Sequence, residues 1–251
     1  MPVHETEAIV LRQYPFAEAD LVVVFFSREY GRVRALARGA KRPKSRTGPV
    51  LEPLNHIRLT FFLRDGAELG RVSECDLIHS YLARTASVER FYVFSYLAEL
   101  VSELVQDNNP SPVLFRLLLA TLETGTAEPL GEGLLRYFEL WALRLQGLLP
   151  NYEYCSACGT CVKEDGFFLV PETGLGRCRS CARGSGLLIR PGAAELLTAI
   201  AHQSPAQFAA GTRGFDALRD LEPLAHRLLE LHLEKRLRSY PLVRKALRGS
   251  P

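Results

Sequence analysis

Five of the six cysteines, Cys155, Cys158, Cys161, Cys178 and Cys181, fall within 27 residues. They read C-x2-C-x2-C, then sixteen residues, then C-x2-C. Two close cysteine pairs about 15 to 20 residues apart aim four thiolates at one tetrahedral ion, the arrangement of a structural zinc site. Four ligands close such a site, so one of the five is surplus. Gly159 directly follows Cys158 and supplies a residue free to turn tightly beneath the sulfurs. That favours Cys155 and Cys158 with Cys178 and Cys181 as the ligands. The pair Cys158 and Cys161 stays open as the alternative first knuckle, although valine, not glycine, follows it at position 162. The expected cofactor is one structural Zn2+. A catalytic zinc keeps a position open for water, and a deaminase carries an H-x-E ahead of its P-C-x-x-C; here no H-x-E precedes the cysteines and no P-C-x-x-C occurs. A disulfide cluster is the competing reading. No signal peptide precedes Val3, and 47% hydrophobic content in 251 residues suffices for a core without bridges. Cys75 stands alone near a strand end and reads as a small buried apolar residue.

The second group with chemical potential is a run of cations. Net charge is only +3, but from Gly31 to Val50 there are seven basic residues and no acidic one. Arg32, Arg34 and Arg38 alternate along an expected strand and so share a face. Lys41, Arg42, Lys44 and Arg46 follow in an expected flexible loop that also holds Gly39, Pro43, Ser45, Thr47 and Gly48. A face of arginines leading into a basic loop suits phosphate binding, where each contact releases condensed counterions. An ordinary solvated surface is the alternative; the lack of any acid in the run tips the reading to nucleic acid. Tyr14 and Phe16 are expected in the first interstrand loop, where barrels of this kind stack bases, with a core role as the alternative. Six further cations, Lys235, Arg236, Arg238, Arg244, Lys245 and Arg248, run unopposed near the C-terminus. They read either as helix-end charge or as a second anion-binding patch.

These residues need elements to position them. The first eighty residues read as strands: 7–11, 21–26, the alternating 32–38, then 57–63 and 69–76 on either side of an Asp65-Gly66 turn. Five strands with a longer connection between the third and fourth suit an OB-type barrel, and the pattern fits an SH3-like barrel equally. From about Ala83 the period becomes helical, with Val88, Phe91, Phe94, Leu97, Leu100, Val101, Leu104 and Val105 on one face. Asn108-Asn109-Pro110 should stop that helix, and Ser111-Pro112 should start the next, running to Gly125. A third helix is expected near 134–147. The cysteines then lie around a hairpin with a strand at 166–170 and a turn at 171–174. Helices resume at 193–201, at Ser204-Pro205 and from Pro223 to Ser239. The expected fold is α+β and multidomain. A five-stranded barrel occupies 1–80, helical parts lie at 81–150 and 187–251, and a four-cysteine, zinc-ribbon-like module at 151–186 is inserted between them.

The exclusions are as informative. There is no apolar run long enough to span a membrane, no internal repeat and no low-complexity tail. No G-x-x-x-x-G-K-[ST], G-x-S-x-G or H-E-x-x-H occurs, and the six histidines form no ligand spacing. Glu18 and Asp20 read as turn residues. The sequence points to a binding protein, not an enzyme. The function classes that remain are a DNA-binding module, a zinc-containing RNA-binding or translation-associated module, and a protein-only scaffold for acidic partners.

The sequence resembles the RecO family of recombination mediators. The resemblance is carried by Glu7-Ala8-Ile9-Val10-Leu11, by YPFAEADL from Tyr14 and by FSREYGRVRALARGAKRPKSR from Phe26, with Leu51-Glu52-Pro53 after them. It continues through Tyr96-Leu97-Ala98-Glu99-Leu100, Leu114-Phe115, Phe138-Glu139-Leu140, Gly147-Leu148-Leu149-Pro150 and the two cysteine pairs, and Cys161 departs from the four-cysteine pattern. The resemblance implies an N-terminal OB fold, a helical domain and a zinc module in a non-enzymatic cytoplasmic protein associated with the nucleoid. It implies binding of single- and double-stranded DNA, annealing of complementary strands, and work with RecR to load RecA onto DNA coated by single-strand-binding protein. It also implies a pocket for that protein's acidic tail, at residues this sequence does not identify.

Overall fold

The computed structural model describes residues 2–64, 66–82, 87–127, 130–212, 214 and 216–248. Asp65 of the expected hairpin turn and Ala83, near the expected change of period, lie outside the described residues, as does the side chain of Arg248.

Five strands close into a barrel: β1 (Val3–Phe16), β2 (Asp20–Ser27), β3 (Gly31–Ala37), β4 (Asn55–Phe62) and β5 (Gly70–Ser80), in the order β1-β2-β3-β5-β4. β1 pairs with both β2 and β4, and β3 meets β5 in parallel through Ala35↔Gly70 and Leu36↔Arg71. This is the OB-like fold expected of the N-terminal region. One face of each strand fills the interior, with Val10, Val23, Phe25, Val33, Ala35, Leu59 and Phe61 in a single cluster. Phe25 and Phe61 are fully buried, so truncating either to alanine removes about 3–5 kcal/mol. The connection between β3 and β4 carries the short helix α1 (Thr47–Val50).

Then come α2 (Val88–Leu104), α3 (Pro112–Ala127) and α4 (Glu132–Leu145). The cysteine module follows with β6 (Phe167–Leu169), β7 (Gly176–Arg177), α5 (Arg179–Ala182) and β8 (Leu187–Ile189). The last elements are α6 (Pro191–Ala199), a 3-10 turn at Ile200–His202, α7 (Pro205–Gly211), α8 (Leu218–Leu233) and α9 (Tyr240–Arg248).

Packing groups these elements into two compact units. One comprises residues 1–126 and 237–251; the other comprises 127–236. The division falls elsewhere than the expected end of the barrel at residue 80, because α2, α3 and α9 pack in the barrel's unit. Phe26 meets Phe115 of α3 edge-on at 5.5 Å. Glu99 of α2 accepts hydrogen bonds from the Arg238 and Ser239 backbone N–H groups just before α9, at 3.1 and 2.8 Å.

In the second unit α4 is buried nearly all round and packs against α7 and α8. Its interior ion pair joins Arg136 Nη1 to Glu139 Oε2 at 2.7 Å. The Ser204-Pro205 start of α7 is a full capping box with Gln207.

Several expectations change. Val88 and Phe91 are 61% and 50% exposed, so the first two apolar positions of α2 do not belong to the core face. α2 ends at Leu104, ahead of the Asn108-Asn109-Pro110 stop. The long helix expected from Pro223 to Ser239 stops at Leu233; 234–239 are not helical, and α9 starts only at Tyr240. α8 begins at Leu218 with Pro223 inside it, its first turns held by buried Leu218, Leu221 and Glu222, and the chain leaves it at Glu234 in a left-handed conformation (φ 52°).

Candidate metal centre and nucleic-acid interface

The cysteine module rests on a small sheet of order β7-β6-β8. The expected hairpin is present as β6 and β7, joined by a turn in which Gly174 N–H donates to Val170 O at 2.8 Å. β8 is a third strand that periodicity missed, since three residues carry too little pattern. Tyr152 anchors the module by stacking on Phe167 at 4.5 Å and 7°, while its hydroxyl donates to Gly174 O at 2.7 Å.

The first knuckle runs from Cys155 to Cys161. Cys155 N–H donates to Thr160 O at 2.8 Å and Gly159 N–H to Cys155 O at 2.9 Å. Gly159 takes φ 72°, a left-handed conformation that a side chain would strain. The second knuckle begins at Cys178, which caps the N-terminus of α5 by accepting from Cys181 N–H.

Together the knuckles gather Cys155, Cys158, Cys178 and Cys181, their sulfurs all within 4.8 Å of one another. Cys161 is not among them. It pairs through its backbone with Tyr154, and its side chain is exposed where the neighbouring Val162 is buried. Strand alternation turns the valine inward and the fifth thiol away.

The donor set suits a cation. Desolvation would raise the Cys155 thiol, but the N–H groups of Cys178, Ala157 and Cys158 outweigh it and bring it down to about 6. Cys158 is lowered too, chiefly by the Thr160 hydroxyl. Cys181 is pushed up to about 12, first by Cys158 and then by Cys178. Thiolates this close repel one another and cannot all ionise unaided. A bound metal ion removes that conflict, and the four sulfurs can hold one.

The cations occupy the barrel's unit. Arg38, Lys41, Arg42, Lys44 and Arg46 are all exposed, and none forms an ion pair among the described residues. The loop that carries them is built, not slack as expected from its glycines. Gly39 turns with φ 66°, and its N–H donates to Asp20 Oδ1 at 2.7 Å. Lys41 N–H donates to Ala19 O at 2.9 Å, Arg42 N–H to Gly39 O at 3.1 Å and Ser45 N–H to Arg42 O at 2.9 Å. Ala40 is buried beneath it. Asp20, the first residue of β2 and not a turn residue as expected, is therefore a loop anchor.

Arg32 and Arg34 do share a face of β3, but they have an acidic partner. Arg32 Nε reaches Asp107 Oδ1 at 2.5 Å and Arg34 Nη2 reaches Asp107 Oδ2 at 3.0 Å. Arg32 Nη1 also donates to Ser102 O at 2.7 Å.

Tyr14 and Phe16 sit on β1 itself, opposite Val22 and Asp20, not in a loop. Both are exposed, which excludes the core alternative. Of the C-terminal cations, Lys235 and Arg236 belong to one unit and Arg238, Arg244 and Lys245 to the other. Arg236 also pairs with Glu230 at 2.9 Å. Among the described residues no helix is long and apolar enough to cross a membrane.

Similarity to known proteins extends over both regions. The family model described as Recombination protein O N terminal matches residues 1–81, and Recombination protein O C terminal matches 86–241. The DNA repair protein RecO of Koribacter versatilis is 34% identical over 237 residues, 93% of this chain and 95% of that protein. Its namesake in Pelotomaculum thermopropionicum is 33% identical, covering 96% and 93% of the two chains. That of Geobacter metallireducens is 32% identical over 96% of each. The chain belongs to the RecO family, proteins of DNA repair and recombination.

Proposed function

We propose that this protein is a recombination mediator that binds single- and double-stranded DNA on its barrel and anneals complementary strands. With RecR, it helps load RecA onto DNA coated by single-strand-binding protein. It acts by binding and not by catalysis, where the chromosome is. The observation that carries this reading is the ordered loop with five exposed cations that no acid neutralises among the described residues. Such a loop attracts phosphates without first having to break ion pairs of its own. Arg32 and Arg34 extend the surface along β3 in so far as phosphate displaces Asp107. A strand held there carries less net charge, and a complementary strand approaches it against weaker repulsion.

The metal is proposed to be one structural Zn2+. Thiolates about 2.3 Å from a tetrahedral ion lie about 3.8 Å apart, and Cys158 Sγ lies 3.8 Å from Cys178 Sγ. With four protein sulfurs the ion would have no open position, so its contribution is to staple the two knuckles.

The test is salt dependence. Replacing Lys41, Arg42, Lys44 and Arg46 with alanine should flatten the log–log slope of single-strand binding by about 3, at roughly 0.7 per phosphate contact. An unchanged slope defeats the assignment. A strand-annealing assay with and without single-strand-binding protein tests the activity itself, and no stimulation in either condition would remove it. Competition between DNA and RNA strands of matched sequence separates the reading from an RNA-binding module.

A further inference from the structure

The end of the β1–β2 hairpin carries two exposed aromatic side chains, Tyr14 and Phe16; the Tyr14 hydroxyl meets the Arg12 guanidinium, and both rings keep an open face. The strands run on beyond the barrel core: Tyr14 pairs with Val22, Pro15 with Leu21 and Phe16 with Asp20. Gln13, Tyr14, Pro15 and Phe16 are all exposed, so β1 here has left the interior on both of its faces. Residues two apart on a strand project from the same face. Tyr14 and Phe16 therefore stand side by side, with 47% and 50% of their surfaces accessible. Among the described residues neither ring stacks on another aromatic side chain. Single exposed apolar residues are ordinary on a protein surface. A co-facial pair of rings becomes informative through what it stands beside.

That neighbour is the cationic loop. The hairpin turn is tied to it by the bond from Gly39 N–H to Asp20 Oδ1 (2.7 Å) and by the bond from Lys41 N–H to Ala19 O (2.9 Å). Lys41 Nζ also reaches Ala17 O at 3.5 Å. Ala17 takes φ 52° to make the turn. The two rings and the five cations thus belong to one hydrogen-bonded tip of one unit.

A cationic track beside exposed aromatic rings is the combination that holds unpaired strands: the charges follow the phosphates and the rings cover base faces. In a duplex those faces are already stacked on their neighbours and closed to a side chain, whereas the phosphates stay accessible. The two halves of the tip therefore make different demands on DNA. We propose that Tyr14 and Phe16 form a stacking platform for the unpaired bases of a strand whose phosphates lie on the Arg38–Arg46 loop. The hairpin end, not the loop, then sets the preference for single strand over duplex. This rests on the DNA-binding reading above and specifies the part of DNA that the site takes.

The full chain would be titrated at one salt concentration with three matched probes: a mixed-sequence single strand, its duplex, and the single strand with abasic sugars at its central positions. The unaltered protein should bind the abasic strand more weakly than the normal one. Tyr14→Ala with Phe16→Ala should lose about tenfold to a hundredfold on the normal single strand. It should bind the duplex unchanged, keep its salt slope and melting temperature, and no longer distinguish abasic from normal strands. Tyr14→Phe with Phe16→Trp should restore the discrimination. Unchanged single-strand affinity in the double alanine variant overturns the proposal, and so does an equal loss on single strand and duplex. Failure of the lysine and arginine loop variant to flatten the salt slope would instead count against the phosphate surface. The abasic comparison is made at a single salt concentration and is judged separately.

Discussion

The cysteine knuckle and the basic loop are built alike and charged oppositely. Each turns on a glycine in the left-handed region, Gly159 at φ 72° and Gly39 at φ 66°, and each is held by short backbone hydrogen bonds. In the knuckle four groups of one kind converge to within 4.8 Å. In the loop five groups of one kind are displayed outward and pair with no acid among the described residues. Convergent like groups demand a counter-ion at their centre and, once it is bound, offer nothing further to solvent. Displayed like groups cost little while hydrated and keep their capacity for an outside ligand. The first arrangement fits stability, the second fits recognition.

Breaking the knuckle should give the largest effect, and it should be an effect on folding. In structural metal sites the binding free energy is folding free energy. Cys155→Ser leaves three sulfurs, and a loss of even about 2 kcal/mol lowers the melting temperature by roughly 4–8 °C in a chain of this size. Calorimetry with and without a chelator should show the unaltered protein falling toward the variant when metal is removed, and the variant responding little. DNA binding measured well below the melting transition should keep its salt slope. Selective loss of binding with unchanged melting would show that the two regions are not separable in this way.

The loop gives the reciprocal experiment. The alanine variant at Lys41, Arg42, Lys44 and Arg46 should lose about 3 from the salt slope, yet its melting should scarcely move. Exposed substitutions of this kind stay within about 0.5 kcal/mol. A large drop in melting would mean that the cations, and not the Gly39–Asp20 bond alone, build the loop.

The two regions also differ in how far the sequence alone reveals them. The knuckle is legible because its ligands lie in two short spacings, and the glycine after Cys158 separates Cys158 from Cys161 as the end of the first pair. The barrel is legible because its strands alternate, although β1 runs from Val3 to Phe16, far beyond the expected 7–11. That extension moves Tyr14 and Phe16 from a loop onto a strand. The end of the hairpin is obscured because both faces of β1 are exposed at 13–16, so alternation carries no signal there. The availability of the arginines is the least legible feature. A window free of acids around Arg32 and Arg34 says nothing about Asp107, which arrives from 75 and 73 residues away. Pro223 fails as a helix start for a related reason: burial of Leu218 and Leu221 outweighs the local cost of a proline inside α8.

Asp107 gives the smallest and sharpest test, because it makes two members of the basic run behave like the knuckle, as like charges gathered on one counter-ion. Asp107→Asn keeps an oxygen acceptor of the same shape and removes the charge. Arg32 retains its bond to Ser102 O and is the less exposed of the two, at 22% against 40% for the Arg34 side chain. Arg34 is therefore the one set free, and the single-strand salt slope should steepen by about 0.7, one contact's worth. With Asp107 and Arg34 both substantially exposed, the stability cost should stay under about 1 kcal/mol. A change of about 1.4 would mean that Arg32 is released as well. No change would confine the phosphate surface to the five loop cations, and β3 would then serve only as the scaffold from which the loop departs.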